Sequence, residues 1–246
     1  MMVRRGTTLD GLVQTSATLN GLAIPGRSLE TALARHAFNL FVNHADGTYK
    51  VLLRGSGTAI EYKGRRLLLC TQHQLDGIDR QNVGMLADDG SILVTSGGMR
   101  HYHPSTETDA YDLVAFDFTE ATAYYPLFKK RFFPLHRIPP YVPFNDVVGF
   151  NLTGFPFADQ NYDVGETNHI GIGRRQVLCT LDPEVPADDV LLRLKPREPL
   201  DFDPDGMSGG SAFVIQVVDG VFCVDFAGII VRGGRTDSTS SRRDRC

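Results

Sequence analysis

The sequence predicts an all-β protein of two six-stranded antiparallel Greek-key barrels with a short N-terminal helix. Short apolar runs recur along the chain, and turn signals such as Lys63-Gly64 and Asp219-Gly220 separate them. Short strands spaced about 8–12 residues apart with turns between them are typical of barrels. The chain has 246 residues, of which 42% are hydrophobic. It is therefore long enough to bury a core in each of two lobes.

The first barrel is predicted over residues 36–118. Its strands are predicted at 36–43, 49–54, 58–62, 67–71, 83–86, 92–95 and 113–118. Residues 1–35 are predicted to form an arm that precedes this barrel. The arm is expected to be loosely ordered through residue 27 because it is rich in Gly, Thr, Ser and Asn. A short helix over Leu29 to Arg35, with Ser28 as its N-cap, completes the arm.

The second barrel is predicted over residues 146–234, after a linker at 119–145. The linker alternates aromatic residues with prolines, which favours a segment lying on the surface between the lobes. The strands of the second barrel are predicted at 146–150, 152–156, 168–172, 176–181, 190–194, 212–218, 221–225 and 228–231. Residues 235–246 are polar, and we expect them to form a disordered tail.

A glycine-rich segment before the run 212–218 is the strongest functional signal. Ser208 has glycine two positions before it, at Gly206, and directly after it, at Gly209 and Gly210. Glycine weakens strands and is favoured where backbone turns sharply or approaches another group closely. If the Gly206 and Ser208 amides point to one spot, they form an oxyanion hole beside a nucleophilic Ser208 hydroxyl. A plain glycine-rich turn is the alternative interpretation.

A nucleophilic serine requires a base to take its proton and a group to orient that base. His73 follows the apolar run 67–71 and is the candidate base. Asp112 stands at the start of the apolar run 113–118 and is the candidate orienting acid. Asp109 and Asp117 are the rival acids. For His73 the alternative is a structural histidine at a strand end.

These motifs together resemble the chymotrypsin/trypsin-like serine peptidase superfamily, and its bacterial, disulfide-free members more than its secreted digestive enzymes. The resemblance spans residues 36–234, with the motifs in the order His, Asp, Ser. The matching segments are 55–60, 71–73, 112–114, 206–210 and 227–230. The resemblance implies a serine endopeptidase in which His73 is the base, Asp112 orients it, and Ser208 is the nucleophile.

The resemblance also implies where substrate binds. Phe202, six residues before Ser208, stands where the family often places the floor of the specificity pocket. An apolar floor favours small or apolar substrate side chains. Val231, Arg232 and Gly233 are expected to pair with an extended substrate backbone.

Two departures from the family pattern suggest other functions. Met207 replaces the acid that pairs with a new N-terminus after zymogen cleavage, so that activation mechanism is excluded. The usual extra strand and closing helix after Gly233 are also missing. A catalytically inactive peptidase-like module that binds peptides or protein partners is therefore the alternative function. An esterase that uses the same triad is a third.

The charge balance disfavours several partners. The net charge of −4 argues against bulk attraction to nucleic acid or membranes. No apolar run approaches the roughly 20 residues of a membrane span. The resemblance implies a polypeptide substrate, and it leaves open an activating or inhibiting protein partner.

The cysteines and histidines do not form a metal motif. His101 and His103 would share a strand face, but they lack a third ligand at useful spacing, so we expect neither a metal nor a cofactor. Cysteines in apolar runs without Cys-x-x-Cys spacing favour a reducing compartment and a cytoplasmic location. The four cysteines are Cys70, Cys179, Cys223 and Cys246.

Overall fold

The structure, a computed structural model, has the predicted all-β, two-barrel class. It describes residues 16–43, 51–87, 92–101, 112–136, 147–163, 169–182, 184 and 191–231. The strands are β1 (Ser16–Leu19), β2 (Leu22–Pro25), β3 (Ala37–Asn43), β4 (Val51–Tyr62), β5 (Arg65–Cys70), β6 (Val83–Leu86), β7 (Leu93–Thr95), β8 (Gly98–His101), β9 (Val114–Asp117), β10 (Phe133–Pro134), β11 (Val147–Gly154), β12 (Gln160–Asp163), β13 (His169–Ile172), β14 (Arg175–Leu181), β15 (Leu194–Pro196), β16 (Ser211–Val218) and β17 (Val221–Ile229). The helices are α1 (Gly26–Ala34) and α2 (Pro126–Lys129), and 3₁₀ turns occur at His73–Leu75, Arg80–Asn82 and Phe157–Asp159.

The first sheet curls so that its two ends meet. Its strands follow the order β7-β6-β3-β4-β5-β9-β8, and β10 pairs with β4 as an additional strand. The end strands β7 and β8 are separated in the chain only by residues 96 and 97. Because so short a connection cannot cross an open sheet, the sheet closes toward a barrel.

The second sheet has the order β15-β14-β11-β16-β17-β1-β2, and β12 and β13 form a separate two-stranded ribbon. Neighbouring strands are antiparallel, except for the parallel pairs β1 with β17 and β4 with β10. Within the described residues the two sheets contain eight and seven strands, more than the six predicted for each barrel. The predicted strand 168–172 forms as β13, but it lies outside the second sheet.

Residues 16–25 of the N-terminal arm form strands where the sequence predicted a loosely ordered segment. Residues 16–25 form the hairpin β1–β2, and β1 extends the second sheet. Asn20 and Gly21 have φ values of 50° and 79°, which fits a type I′ turn. Helix α1 begins at Gly26 with Pro25 at the N-cap position, so the prediction of Ser28 as the N-cap was wrong.

The predicted linker contributes to the protein core. Phe128, Phe132 and Phe133 are 2–4% exposed, so the prediction of a segment lying on the surface was wrong for these rings. Tyr124, by contrast, is 88% exposed. Burying each phenylalanine stabilises the fold by about 1.5–3 kcal/mol, which explains why the segment folds inward.

Several strands are longer than predicted. The predicted strands 49–54 and 58–62 form the single strand β4, which runs through Gly55 and Gly57. Strands β11 and β17 likewise each replace two predicted strands. In β4 the glycines make room for another segment of the chain, as the site described below shows.

The buried apolar residues of the described chain form three clusters, one in each lobe and one between the lobes. One cluster fills the first sheet and another fills the second. The third lies between the lobes and includes Ile60 and Phe133 from the first lobe and Phe213 and Phe226 from the second. The rings of Phe133 and Phe213 meet edge to face, with centroids 5.1 Å apart. In the described part of the chain, no helix has the length and apolar character that crossing a membrane requires.

Candidate active site

Strand pairing in the first sheet brings the candidate base and acid together. His73 begins a 3₁₀ turn three residues after β5 ends, and Asp112 precedes β9 by two residues. Strands β5 and β9 are paired, with Cys70 opposite Val114. The residues that flank these two strand ends therefore lie side by side. Ser208 comes from the second lobe, in the turn that leads into β16.

Asp112 holds His73 through two hydrogen bonds. The Nδ1 atom of His73 lies 2.5 Å from Oδ2 of Asp112. The backbone amide of His73 donates to Oδ1 of the same carboxylate at 3.0 Å. With Nδ1 as the donor, the imidazole presents Nε2 as an acceptor. The His73 side chain is 44% exposed and that of Asp112 is 13% exposed, so the ring remains accessible while its partner is shielded.

The rival acids have different positions. Asp117 pairs with Arg65 at 2.8 Å and accepts a hydrogen bond from the Thr119 amide. Although burial acts to raise the pKa of Asp117, its bonds with Thr119 and Arg65 lower that pKa below the usual value. Asp117 is therefore engaged away from His73. Asp109 lies outside the described residues.

No hydrogen bond joins the Ser208 hydroxyl to the His73 ring in the described residues. Its hydroxyl donates to the backbone carbonyl of Val231 at 3.1 Å. The Nε2 atom of His73 instead lies 3.4 Å from the Thr71 hydroxyl. The structure thus brings the base and the acid together and leaves the serine hydroxyl turned toward another partner.

Two backbone amides of the serine loop are unbonded within the described part of the chain. They belong to Gly206, which has a φ of +95°, and to Ser208. The other amides of the loop are occupied: that of Met207 bonds to Pro204, that of Gly209 to Ile230 and that of Gly210 to Met207. The two amides proposed from sequence for an oxyanion hole are therefore the two that are available for a ligand.

The serine loop is bonded to the first lobe by side chains whose role the sequence analysis missed. The Ser56 hydroxyl donates to the Gly206 carbonyl at 2.8 Å, and the Thr58 hydroxyl donates to the Gly209 carbonyl at 2.8 Å. The Ser56 amide also donates to the Ser208 carbonyl at 3.2 Å. Ser56 and Thr58 are fully buried. Two polar residues at alternate positions share one face of a strand, and that pattern was the available signal.

The predicted substrate-binding residues are only partly described. Phe202 is half-buried against the core of the second sheet, and the guanidinium of Arg175 lies 5.3 Å from its ring centroid. Val231 follows β17 and presents its carbonyl to Ser208. Arg232 and Gly233 lie outside the described residues.

The described cysteines are poor candidates for nucleophiles or metal ligands. Cys70 and Cys179 are buried free thiols. Burial raises the pKa of the Cys70 thiol well above its usual range and that of Cys179 to about 11. Within the described ranges, no three His, Cys, Asp or Glu residues converge as a metal site would require. Of the histidine pair, His101 ends β8 and His103 lies outside these ranges, as does Cys246.

Comparisons with known proteins find a distant structural neighbour. No family model matches the chain, and no curated protein is significantly similar to it in sequence. Among solved structures, the secreted serine protease VesC from Vibrio cholerae aligns with 82% of this chain at 15% identity and a TM-score of 0.42. The alignment covers 42% of the VesC chain.

Proposed function

We propose that the protein is a serine endopeptidase that cleaves peptide bonds through an acyl-enzyme intermediate. The observation that carries the proposal is the arrangement of His73 and Asp112 beside a serine loop of the other lobe in which two amides have no bond to the described residues. A nucleophile, an oriented base and an oxyanion site are the parts that acyl transfer requires.

In the proposed reaction, the Ser208 hydroxyl rotates from the Val231 carbonyl toward Nε2 of His73. Its oxygen attacks the peptide carbonyl carbon while Nε2 takes the proton. The carbonyl oxygen becomes an oxyanion that accepts hydrogen bonds from the Gly206 and Ser208 amides. When the C–N bond breaks, the amine leaves with the proton from Nε2. Water then attacks the acyl-enzyme with His73 again as the base, which releases the acid and restores Ser208.

The proposed substrate is an extended polypeptide. Backbone beyond β17, at Val231, Arg232 and Gly233, would pair with it as an added strand. Phe202 would favour a small or apolar side chain next to the cleaved bond.

One observation favours a second function, that of a catalytically inactive module that binds peptides or a protein partner. The Ser208 hydroxyl is bonded to Val231 and the His73 Nε2 faces Thr71, so the serine and the base are not engaged. Catalytic hydrogen bonds often tighten only when substrate binds, and for this reason we place the endopeptidase first. The binding of an activating protein partner would likewise bring the Ser208 hydroxyl into a hydrogen bond with His73.

Labelling with a fluorophosphonate probe tests the proposed function. We expect the folded wild-type protein to gain the mass of the probe on the peptide that contains Ser208. Ser208→Ala and His73→Ala should abolish labelling, because they remove the nucleophile and its base. Ser96→Ala, in the link between β7 and β8, should label like the wild type. A folded wild-type protein that does not label would refute the enzyme and favour the binding module.

Gly209→Ala is expected to slow labelling about tenfold or more, because it forces the serine loop away from the first lobe. Gly209 has a φ of +82°, and an alanine Cβ there would lie 2.1 Å from the Ser56 carbonyl oxygen. The left-handed conformation alone costs an L-residue about 1–2 kcal/mol. The labelling rate and the free energy of unfolding in urea should be measured together.

Gly220→Ala is the matched control for Gly209→Ala. Gly220 has a similar φ of +79°, but nothing lies within 4 Å of an added Cβ. Gly220→Ala should therefore show the cost of backbone strain without a clash between the added Cβ and a neighbouring atom. This variant should label like the wild type. Equal labelling rates for the two variants would show that the contact between the loop and the first lobe does not matter for reactivity.

A further inference from the structure

We propose that Gln74 is a positioning residue whose single side-chain amide joins the segment of the base to the segment of the nucleophile. The inference rests on the proposed function for its consequence in catalysis. Gln74 directly follows His73 in the chain, and the sequence analysis assigned it no role. It is 8% exposed, so its amide works within the protein and not in solvent.

The nitrogen of the Gln74 side chain binds the serine loop. Nε2 donates to the Ser208 carbonyl at 2.7 Å and to the Ser56 carbonyl at 3.2 Å. A longer contact of 3.4 Å reaches the Arg54 carbonyl. The Ser208 carbonyl therefore receives hydrogen bonds from both the Gln74 side chain and the Ser56 amide. These bonds hold the peptide group between Ser208 and Gly209 in place. By fixing the backbone at Ser208, they also position the Ser208 amide.

The oxygen of the same side chain binds the segment of the base. Oε1 accepts from the Thr71 amide at 2.9 Å and from the Thr71 hydroxyl at 2.7 Å. Since a backbone amide can only donate and a backbone carbonyl can only accept, these partners assign the orientation of the Gln74 amide without ambiguity. One planar group thus spans the gap between Thr71 in the first lobe and Ser208 in the loop of the second.

The bond to Thr71 also determines whether the Thr71 hydroxyl donates its proton to Gln74 or to Nε2 of His73. A threonine hydroxyl carries one proton, and at 2.7 Å Gln74 Oε1 is a closer acceptor for it than His73 Nε2 at 3.4 Å. Directing this proton to Gln74 leaves the lone pair of Nε2 free to accept the proton of Ser208. Without Gln74, the Thr71 hydroxyl would donate to Nε2 and compete with the nucleophile.

The backbone of β4 is shaped to admit this side chain. Gly55 has a φ of +121°, and a Cβ at that position would lie 2.4 Å from Nε2 of Gln74 and 3.1 Å from the Gly206 carbonyl oxygen. A side chain at position 55 would therefore displace both the amide and the serine loop. The glycine in the middle of a strand has a physical reason here, namely close approach.

Gln74→Met tests the proposal, because methionine keeps the length of the side chain and removes its hydrogen bonds. We expect the fluorophosphonate labelling rate to fall about tenfold or more, as the Ser208 carbonyl loses a buried donor and Thr71 turns toward His73. We also expect faster deuterium exchange in the peptide that covers residues 205–211. Gln74→Glu keeps an acceptor for Thr71 but directs a carboxylate oxygen at the Ser208 and Ser56 carbonyls, so it should slow labelling and speed exchange at least as much as Gln74→Met.

Gln216→Met is the matched control. Gln216 is 9% exposed, and its amide donates to Asp225 at 2.8 Å on the β16–β17 hairpin. Its substitution should lower the free energy of unfolding and leave both labelling and exchange at 205–211 unchanged. The proposal is overturned if Gln74→Met labels and exchanges like the wild type, or if Gln216→Met slows labelling as much.

The exchange measurement separates this proposal from the proposed function. If the wild-type protein does not label, the endopeptidase is refuted, and faster exchange at 205–211 in Gln74→Met still supports the joining role. Unchanged exchange overturns that role. If Gln74→Met fails to fold, Gln74→Glu provides both measurements in its place.

Discussion

Replacing Asp112 by asparagine is expected to slow the reaction of Ser208 on the order of 10⁴-fold, the effect of the corresponding change in other serine peptidases. The Asp112 carboxylate accepts one hydrogen bond from Nδ1 of His73 and another from the His73 amide. Asparagine has only one side-chain oxygen, so it can satisfy only one of these donors. If the oxygen serves the backbone, the NH₂ group faces Nδ1 and favours the tautomer with its proton on Nε2. That tautomer cannot accept the serine proton.

The fluorophosphonate labelling rate measures this effect, with Asp117→Asn as the control. Asp117 is also a carboxylate at a strand end of the first sheet, but it pairs with Arg65 and not with His73. Its substitution should change the free energy of unfolding slightly and leave labelling unchanged. Similar labelling rates for Asp112→Asn and the wild type would show that the bond between His73 and Asp112 is structural and not part of a catalytic site.

The protein is expected to lose about 3 kcal/mol of stability between pH 7 and pH 4 through His36 alone. His36 lies between the lobes, 1% exposed, with its ring against those of Phe133 and Phe213. The pKa of His36 is lowered from 6.5 to about 4, chiefly by burial and in addition by the charges of Arg35 and Arg131. A hydrogen bond to the Arg131 carbonyl opposes this shift.

The direction of the pH effect follows from the lowered pKa of His36. Between pH 6.5 and pH 4 the unfolded chain binds a proton at His36, while the folded protein keeps this residue neutral. Acid therefore favours unfolding, and the stability that neutral His36 permits is complete only above pH 6.5. A loss of about 3 kcal/mol is a large part of the roughly 5–15 kcal/mol that stabilises a typical domain.

Urea unfolding at several pH values between 4 and 7 measures the effect of His36. His36→Gln keeps a donor for the Arg131 carbonyl and does not titrate, so its stability should vary less with pH than that of the wild type. The exposed His136→Gln is the control and should retain the wild-type dependence. If His36→Gln and the wild type lose stability equally toward pH 4, the buried histidine is not the cause.

Local patterns in the sequence were sufficient to predict most elements. The turns at Lys63-Gly64 and Asp219-Gly220 form with positive φ values, as expected for these residues. Asn20-Gly21 was an equally strong signal, and the hairpin there was overlooked because residues 1–27 as a whole are rich in Gly, Thr, Ser and Asn. The glycines at 55 and 57 led to a predicted break in β4 that does not occur, since a glycine inside a strand also permits close approach of another segment.

Periodicity and turn chemistry are local properties, so they were enough to predict the all-β class and the residue types from which a serine site can be built. Which of these residues meet depends on the packing of the whole chain. That packing placed Asp112 on His73, turned the Ser208 hydroxyl to Val231, and brought Gln74 between Thr71 and the serine loop. These contacts join residues up to 134 positions apart in the chain. Contacts between such distant residues form only through strand pairing and lobe packing, which no local pattern specifies.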